Sequence, residues 1–187
     1  LQVGLAVGQI WSNFNQNRNR NGNSTSKSSA IKTKKTLADH VYYVGSAKQA
    51  SDYVTTTQFI INHIKKQYDH REDIAFALEN MAERELTKFQ PQLQRAKPKT
   101  DKEEDKEEAE ILNEQYKMQF QVDYDKYKER VEAYKDNKYK AYALIWGQCN
   151  SAMKSKVQSR KDYEQSIKDN PIELLKAIKQ HATNYSD

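Results

Sequence analysis

Cysteine is almost absent from this chain. Among 187 residues the only one is Cys149, which excludes an intramolecular disulfide and any zinc site built from several thiolates. A single thiol suits a reducing compartment, and the expected location is the cytoplasm. Proline and glycine are also scarce, at three and five residues. Scattered glycines exclude the clustered loops that cradle phosphates. So few turn-formers also argue against a sheet-rich fold and for long helices. No stretch approaches the roughly 20 apolar residues needed to cross a bilayer. The run Leu1–Trp11 is apolar, but it is short, contains Gly4, Gly8 and Gln9, and has no basic residue ahead of it. It does not read as a signal peptide. An initiator methionine is missing and the sequence stops just after a helical pattern, so the chain is expected to be a fragment.

Acidic residues are missing from residues 1–35, which hold Arg18, Arg20, Lys27, Lys32, Lys34 and Lys35. Removing these six from the 31 cations leaves 25 against 26 acids, so the net charge of +5 belongs to this arm. From Asn13 to Ser29 the arm is polar with almost no apolar residue, and such a segment cannot offset its own ordering entropy. Residues 1–36 therefore read as a disordered basic arm. Two roles stay open for it. Its cations can release counterions on RNA phosphates, or the arm can act as a solubilising linker that binds nothing.

What the chain has is helical periodicity. Hydrophobic residues make up 36% and charged residues 30%, enough for one domain with a modest core. The fold class expected is all-α, a helical bundle with one long helix, spanning residues 37–187 with a charged linker near 90–106. Leu37–Val44 reads as a short extended segment, followed by a turn at Gly45. Ser46 is the expected cap of a first helix to about Tyr68, with Ala50, Tyr53, Ile60, Ile61 and Ile64 inward. The run Thr55, Thr56, Thr57 lowers its intrinsic propensity, so packing must hold it. A second helix from about Arg71 to Leu86 carries Ile74, Ala77, Leu78 and Met81, and Pro91 marks its latest end.

Arg95–Ala109 is charged and mixed in sign. Helix is expected to start near Thr100, supported by Glu and Lys three and four apart. Leu112, Tyr116, Phe120, Tyr124, Tyr127, Val131 and Tyr134 then recur every three or four residues. Carried through to Lys156, this helix would run nearly fifty residues, on the order of 75 Å. A bend near Asp136–Asn137, or a shift of the buried face, is the expected way to fit it into a compact domain. Gly147 inside it reads as a site of close helix approach. The chain contains twelve tyrosines, and those in this repeat fit a helix–helix seam better than a stacking platform for single-stranded nucleic acid.

The segment Tyr139–Tyr185 organises the rest. Tyr142, Ile145, Trp146, Cys149 and Met153 share one helix side, with Trp146 as the core anchor. Tyr163 and Ile167 are expected to close the end of the bundle. Asn170-Pro171-Ile172-Glu173 then supplies a cap, a proline at the first helical position and an acid at the positive end of the dipole. Behind it Leu174, Leu175, Ile178 and Tyr185 recur on one face, in a helix to about Asn184.

The words ALIWGQCNSAMKSKV (Ala143–Val157) and NPIELLKAIKQHATNY (Asn170–Tyr185) resemble the Gag-like N-terminal region of copia-type LTR retrotransposons, particularly those of diatoms and related algae. LADHVYYVGSAKQASDYVTTTQFI (Leu37–Ile60) is similar to the segment that begins the helical region in the same polyproteins. The resemblance implies a structural capsid-like protein that self-associates into virus-like particles and packages RNA. Under it, Arg18, Arg20, Lys27, Lys32, Lys34 and Lys35 are the candidate RNA contacts, and Trp146, Leu174, Leu175 and Ile178 the candidate core or interface. The zinc knuckle that such Gag proteins commonly carry, three cysteines and one histidine, is not in this chain.

Enzyme templates find no support. His40, His63, His70 and His181 fall in no metal-ligand spacing. Cys149, set in the apolar stripe, reads as a buried structural thiol. The expectation is a non-enzymatic protein with no cofactor, no metal, no small-molecule substrate and no membrane partner. The alternative is a helical scaffold or adaptor, including one domesticated from such an element, that binds a partner helix through the Leu112–Tyr134 seam.

Overall fold

A computed structural model of the chain describes residues 36–45 and 47–183. The expected cap Ser46, Tyr185 and the six cations of the arm lie outside these residues. Five α-helices follow in order: α1 (Gln49–Gln67), α2 (Glu72–Asn80), α3 (Glu103–Gly147), α4 (Ser151–Gln158) and α5 (Pro171–Thr183). Short 3-10 turns at Leu37–Asp39 and Leu86–Phe89 and a π turn at Tyr163–Ile167 join them. No strand occurs among the described residues. The chain is all-α, with one long helix.

The last helix is the centre. Asn170 Oδ1 accepts the backbone N–H groups of Ile172 (3.1 Å) and Glu173 (3.3 Å), so the cap legible in the sequence forms and Pro171 loses no donor. Seven of the 13 residues of α5 are buried, among them Leu174, Leu175 and Ile178 at no more than 1% exposure. A helix covered this widely must be surrounded. It packs against α1, α2, α3, α4 and the π turn.

Around it, α1 buries Tyr53, Ile60, Ile61 and Ile64, while Ala50, expected inward, is exposed and Gln49 before it is buried instead. The threonine run survives by packing. Thr56 and Thr57 are buried, and Thr57 Oγ1 lies 3.0 Å from the Tyr42 hydroxyl. The second helix ends six residues earlier than its apolar pattern suggests. Met81 turns left-handed (φ 49°) with its N–H on the Ala77 carbonyl, and this closes α2 at Asn80.

Leu37–Val44 is only partly extended. After the 3-10 turn, Tyr42 makes an isolated parallel bridge with Cys149. Its N–H donates to Gln148 O (2.8 Å) and its carbonyl accepts from Asn150 N (3.2 Å). This crossing is where the long helix breaks. No break occurs at Asp136–Asn137, and α3 runs unbroken to Gly147, about 68 Å at 1.5 Å per residue. Asn150 then caps α4, accepting Met153 N at 2.8 Å. Gly147 does not admit a neighbour, since a Cβ there would meet nothing within 4 Å.

The charged segment near 90–106 is a strap and not a free linker. Leading from the turn Leu86–Phe89, it runs back along α3 toward that helix's N-terminus. Pro91 lies by Tyr116 and Phe120, Ala96 exchanges two hydrogen bonds with Asn113 (2.8 and 3.2 Å), and Lys99 reaches Glu108 (3.3 Å). Helix begins at Glu103, slightly later than expected, with Glu103, Glu104 and Asp105 in its first turn, where acids suit the dipole.

Trp146 sits at the rim of the core and not at its middle. Half-buried, it stacks on Tyr142 (centroids 6.1 Å apart, 8° between planes) and meets Tyr163, while Ile145 beside it is fully buried. Ile145→Ala should therefore cost about 3 kcal/mol, and Trp146→Ala about half the ~3–5 kcal/mol of a fully enclosed tryptophan. Urea titration would show the reverse order if Trp146 were the anchor. Gly147→Ala should leave the melting temperature unchanged or raised, because the site is open and Ala favours helix.

Candidate functional site

The side chains singled out from sequence divide into two groups. Leu174, Leu175 and Ile178 meet in one buried cluster with Ile145, Met153 and Ile64, and Trp146 packs on its edge. They build the fold. The arm cations Arg18, Arg20, Lys27, Lys32, Lys34 and Lys35 belong to residues outside the described range.

A polar cluster that local patterns did not announce joins the α1–α2 hairpin to the long helix. Asp73 lies in the first turn of α2 with its side chain 5% exposed. Arg130, on α3, donates Nε to Oδ2 and Nη2 to Oδ1, both at 2.7 Å, a bidentate pair. Arg84 Nε adds a contact to Oδ1 at 3.3 Å. Both guanidinium groups stack on rings, Arg84 over Phe76 (4.1 Å) and Phe89 (5.0 Å), Arg130 over Phe89 (4.0 Å). Hydrogen bonding from Arg130 outweighs burial and holds the Asp73 carboxyl below the usual carboxylate range.

The same seam continues one turn on. The Arg84 backbone N–H donates to the Tyr134 hydroxyl (3.1 Å), which donates to Glu83 Oε2 (2.8 Å), and Lys138 Nζ donates to Glu83 Oε1 (2.6 Å). Burial alone would raise the Glu83 carboxyl, but the bonds from Lys138 and Tyr134 prevail and lower it. Burial pushes the Tyr134 hydroxyl well above the ordinary tyrosine value. Asn137, 3% exposed, sends Nδ2 to the carbonyls of Asp69 (2.7 Å) and His70 (3.3 Å) in the α1–α2 turn. Every polar group here has a partner, so the cluster is a clamp that fixes register and has no free acid or base to offer a substrate.

Other chemistry-bearing groups are dispersed, and the buried His40 Nε2, Tyr53 hydroxyl and His181 Nε2 have no hydrogen-bond partner among the described residues. Cys149 Sγ contacts the Ile145 carbonyl at 3.4 Å, and burial pushes its thiol up to about 12, far from the thiolate that nucleophilic work needs. His40 is buried and stacked on Phe59 at 4.0 Å. Among the described residues no three His, Cys, Asp or Glu side chains converge as a metal site would require, and no helix is long and apolar enough to cross a membrane.

The surface left to consider is the long helix itself. Of its 45 residues only Ala109, Tyr134, Asn137, Ala141 and Ile145 are buried. The tyrosine seam from Leu112 to Tyr127 is half-buried and turned toward the strap side, with Phe120 stacked on Tyr124 and Tyr124 tilted against Tyr127. It is not the open partner surface expected of an adaptor. Ile111, Met118 and Val122 are exposed at 64%, 69% and 49%.

No family model, no curated protein and no solved structure matches this chain.

Periodicity did hold one clue to the clamp. Tyr134, Asn137, Ala141 and Ile145 step by three, four and four, so Asn137 occupies a core position and needs a buried partner. Asp73 and Arg130 gave no such signal, being 57 residues apart. Removing one partner of a buried pair strands the other, so Asp73→Ala should cost about 3 kcal/mol in urea unfolding. Folding lowers the Asp73 pKa below its unfolded value of about 3.9, so the unfolded chain takes up that proton first. The stabilisation is then complete above about pH 4 and is lost as pH falls through the depressed value. Asp73→Asn should flatten the acid limb of the stability profile, and an unchanged limb would assign acid sensitivity to another group.

Proposed function

We propose that this chain is a Gag-like structural protein of the copia retrotransposon type, contributing to particle assembly and to RNA packaging. Its helical body supplies protein contacts and its basic arm supplies phosphate contacts. The observation that carries the reading is α3. Most of its 45 residues project polar and apolar side chains outward while the core closes around α5. A helix about 68 Å long, steadied by a strap along one side, suits a protein whose work is contact with other macromolecules.

Charge distribution supports the division of labour. Residues 36–183 hold 25 cations and 25 acids, so sequence-independent affinity for phosphate falls to the arm. The words that resemble Gag-like sequences fall on the elements that build the core, namely the end of α3, α4, α5 and the segment that crosses at Tyr42. That is where a fold shared across a family would concentrate its constraints.

The reading is tested by light scattering over a protein concentration series, with and without RNA, at low and moderate salt. Growth into large particles promoted by RNA is expected. A monomer or dimer indifferent to RNA would overturn it in favour of a scaffold or adaptor. Deleting residues 1–35 should weaken RNA binding and flatten its salt dependence, because six cations are lost. Equal affinity with and without them would remove the arm's role.

A further inference from the structure

The outward face of α3 combines exposed apolar side chains with one sign of charge. Ile111, Met118 and Val122 are seven and four residues apart, so at 3.6 residues per turn they lie within an arc of about 40°. Ala109, Tyr134, Ala141 and Ile145 mark the inward side, nearly opposite. Glu104 and Glu107 continue the outward line before the apolar stripe, and Glu129 continues it after. All three are exposed, and none takes part in an ion pair. Lys126 is the lone cation bordering this face between Glu104 and Glu132.

The charge decides what kind of partner fits. Two copies of the stripe laid parallel would set each glutamate against itself. Laid antiparallel about Met118, they would set Glu107 against Glu129, again like against like, and such pairings disfavour association. A helix with its own apolar stripe and flanking lysines or arginines would bury Ile111, Met118 and Val122 and neutralise the acids at both ends. We propose that the outer face of α3 is a docking surface for a basic amphipathic helix. The proposal uses none of the arm's cations, and it stands whether or not the chain assembles on RNA.

The probe is a fluorescent synthetic peptide of about 21 residues, long enough to cover about 30 Å as a helix, with leucines on one face and lysines elsewhere. Two controls accompany it: a scrambled peptide of the same composition with no apolar face, and a version with glutamate for lysine. Anisotropy should show saturable binding of the amphipathic lysine peptide alone, weakening as salt rises. Met118→Lys should reduce that affinity at least tenfold, and because Met118 is exposed, its melting temperature should match the parent protein. Replacing Glu104, Glu107 and Glu129 by Gln should flatten the salt dependence. Equal binding of the scrambled peptide would reduce the effect to bulk charge and overturn the proposal. Equal binding to Met118→Lys, or a protein dimer that Met118→Lys dissociates, would overturn it as well.

Discussion

The structure depends on the burial of α5. A 13-residue helix is too short to persist alone in water, and this one holds because its apolar residues are enclosed on most sides. Burying Leu174, Leu175 and Ile178 contributes about 2 kcal/mol apiece, available only if α1, α2, α3 and α4 are all in place. The helix therefore acts as the point where distant parts of the chain become one cooperative unit. Its cap is local, supplied by Asn170, but its stability is wholly tertiary.

The long helix presents the opposite problem. Its N-terminal portion has little core to join, and a bare helix of that length would be set at an undefined angle to the rest. Two devices fix it. The strap lies along one side and trades hydrogen bonds between Ala96 and Asn113. The clamp of Asp73, Arg130, Arg84 and Glu83 ties the α1–α2 hairpin to the helix just before it enters the core. Ion pairs of this kind add modest net stability but tolerate few alternative registers, and register is what a 45-residue helix needs.

These devices leave α3 with one side committed and the other free. The tyrosine-rich side carries half-buried rings. The opposite side carries the unpaired glutamates and the exposed Ile111, Met118 and Val122. A protein built this way offers an extended surface held at a fixed angle, the feature on which the proposed assembly and docking roles rest. Its buried nucleophile, the Cys149 thiol, is held protonated, and its strongest ionic cluster is internally satisfied.

The helical class, the start of α5 at Asn170 and Pro171, the inward faces of α1 and α2, and the burial of Ile145 were legible in the amino-acid sequence. Each of these rests on spacing or capping within a few residues, which is the range over which helical geometry fixes the side-chain direction. Packing between distant segments set the rest: Trp146 lies at the rim of the core, the charged linker is a strap, and the helix breaks at Gln148 and not at Asn137. It alone decided that the open face of α3 is the one bearing Met118 and not the tyrosine seam. Those outcomes depend on what arrives from elsewhere in the chain: Tyr42 crossing at Gln148 and Asn150, the Asp69 and His70 carbonyls meeting Asn137, and Asp73 reaching Arg130. Contacts between residues so far apart leave no periodic trace in either segment, so only the packed chain displays them.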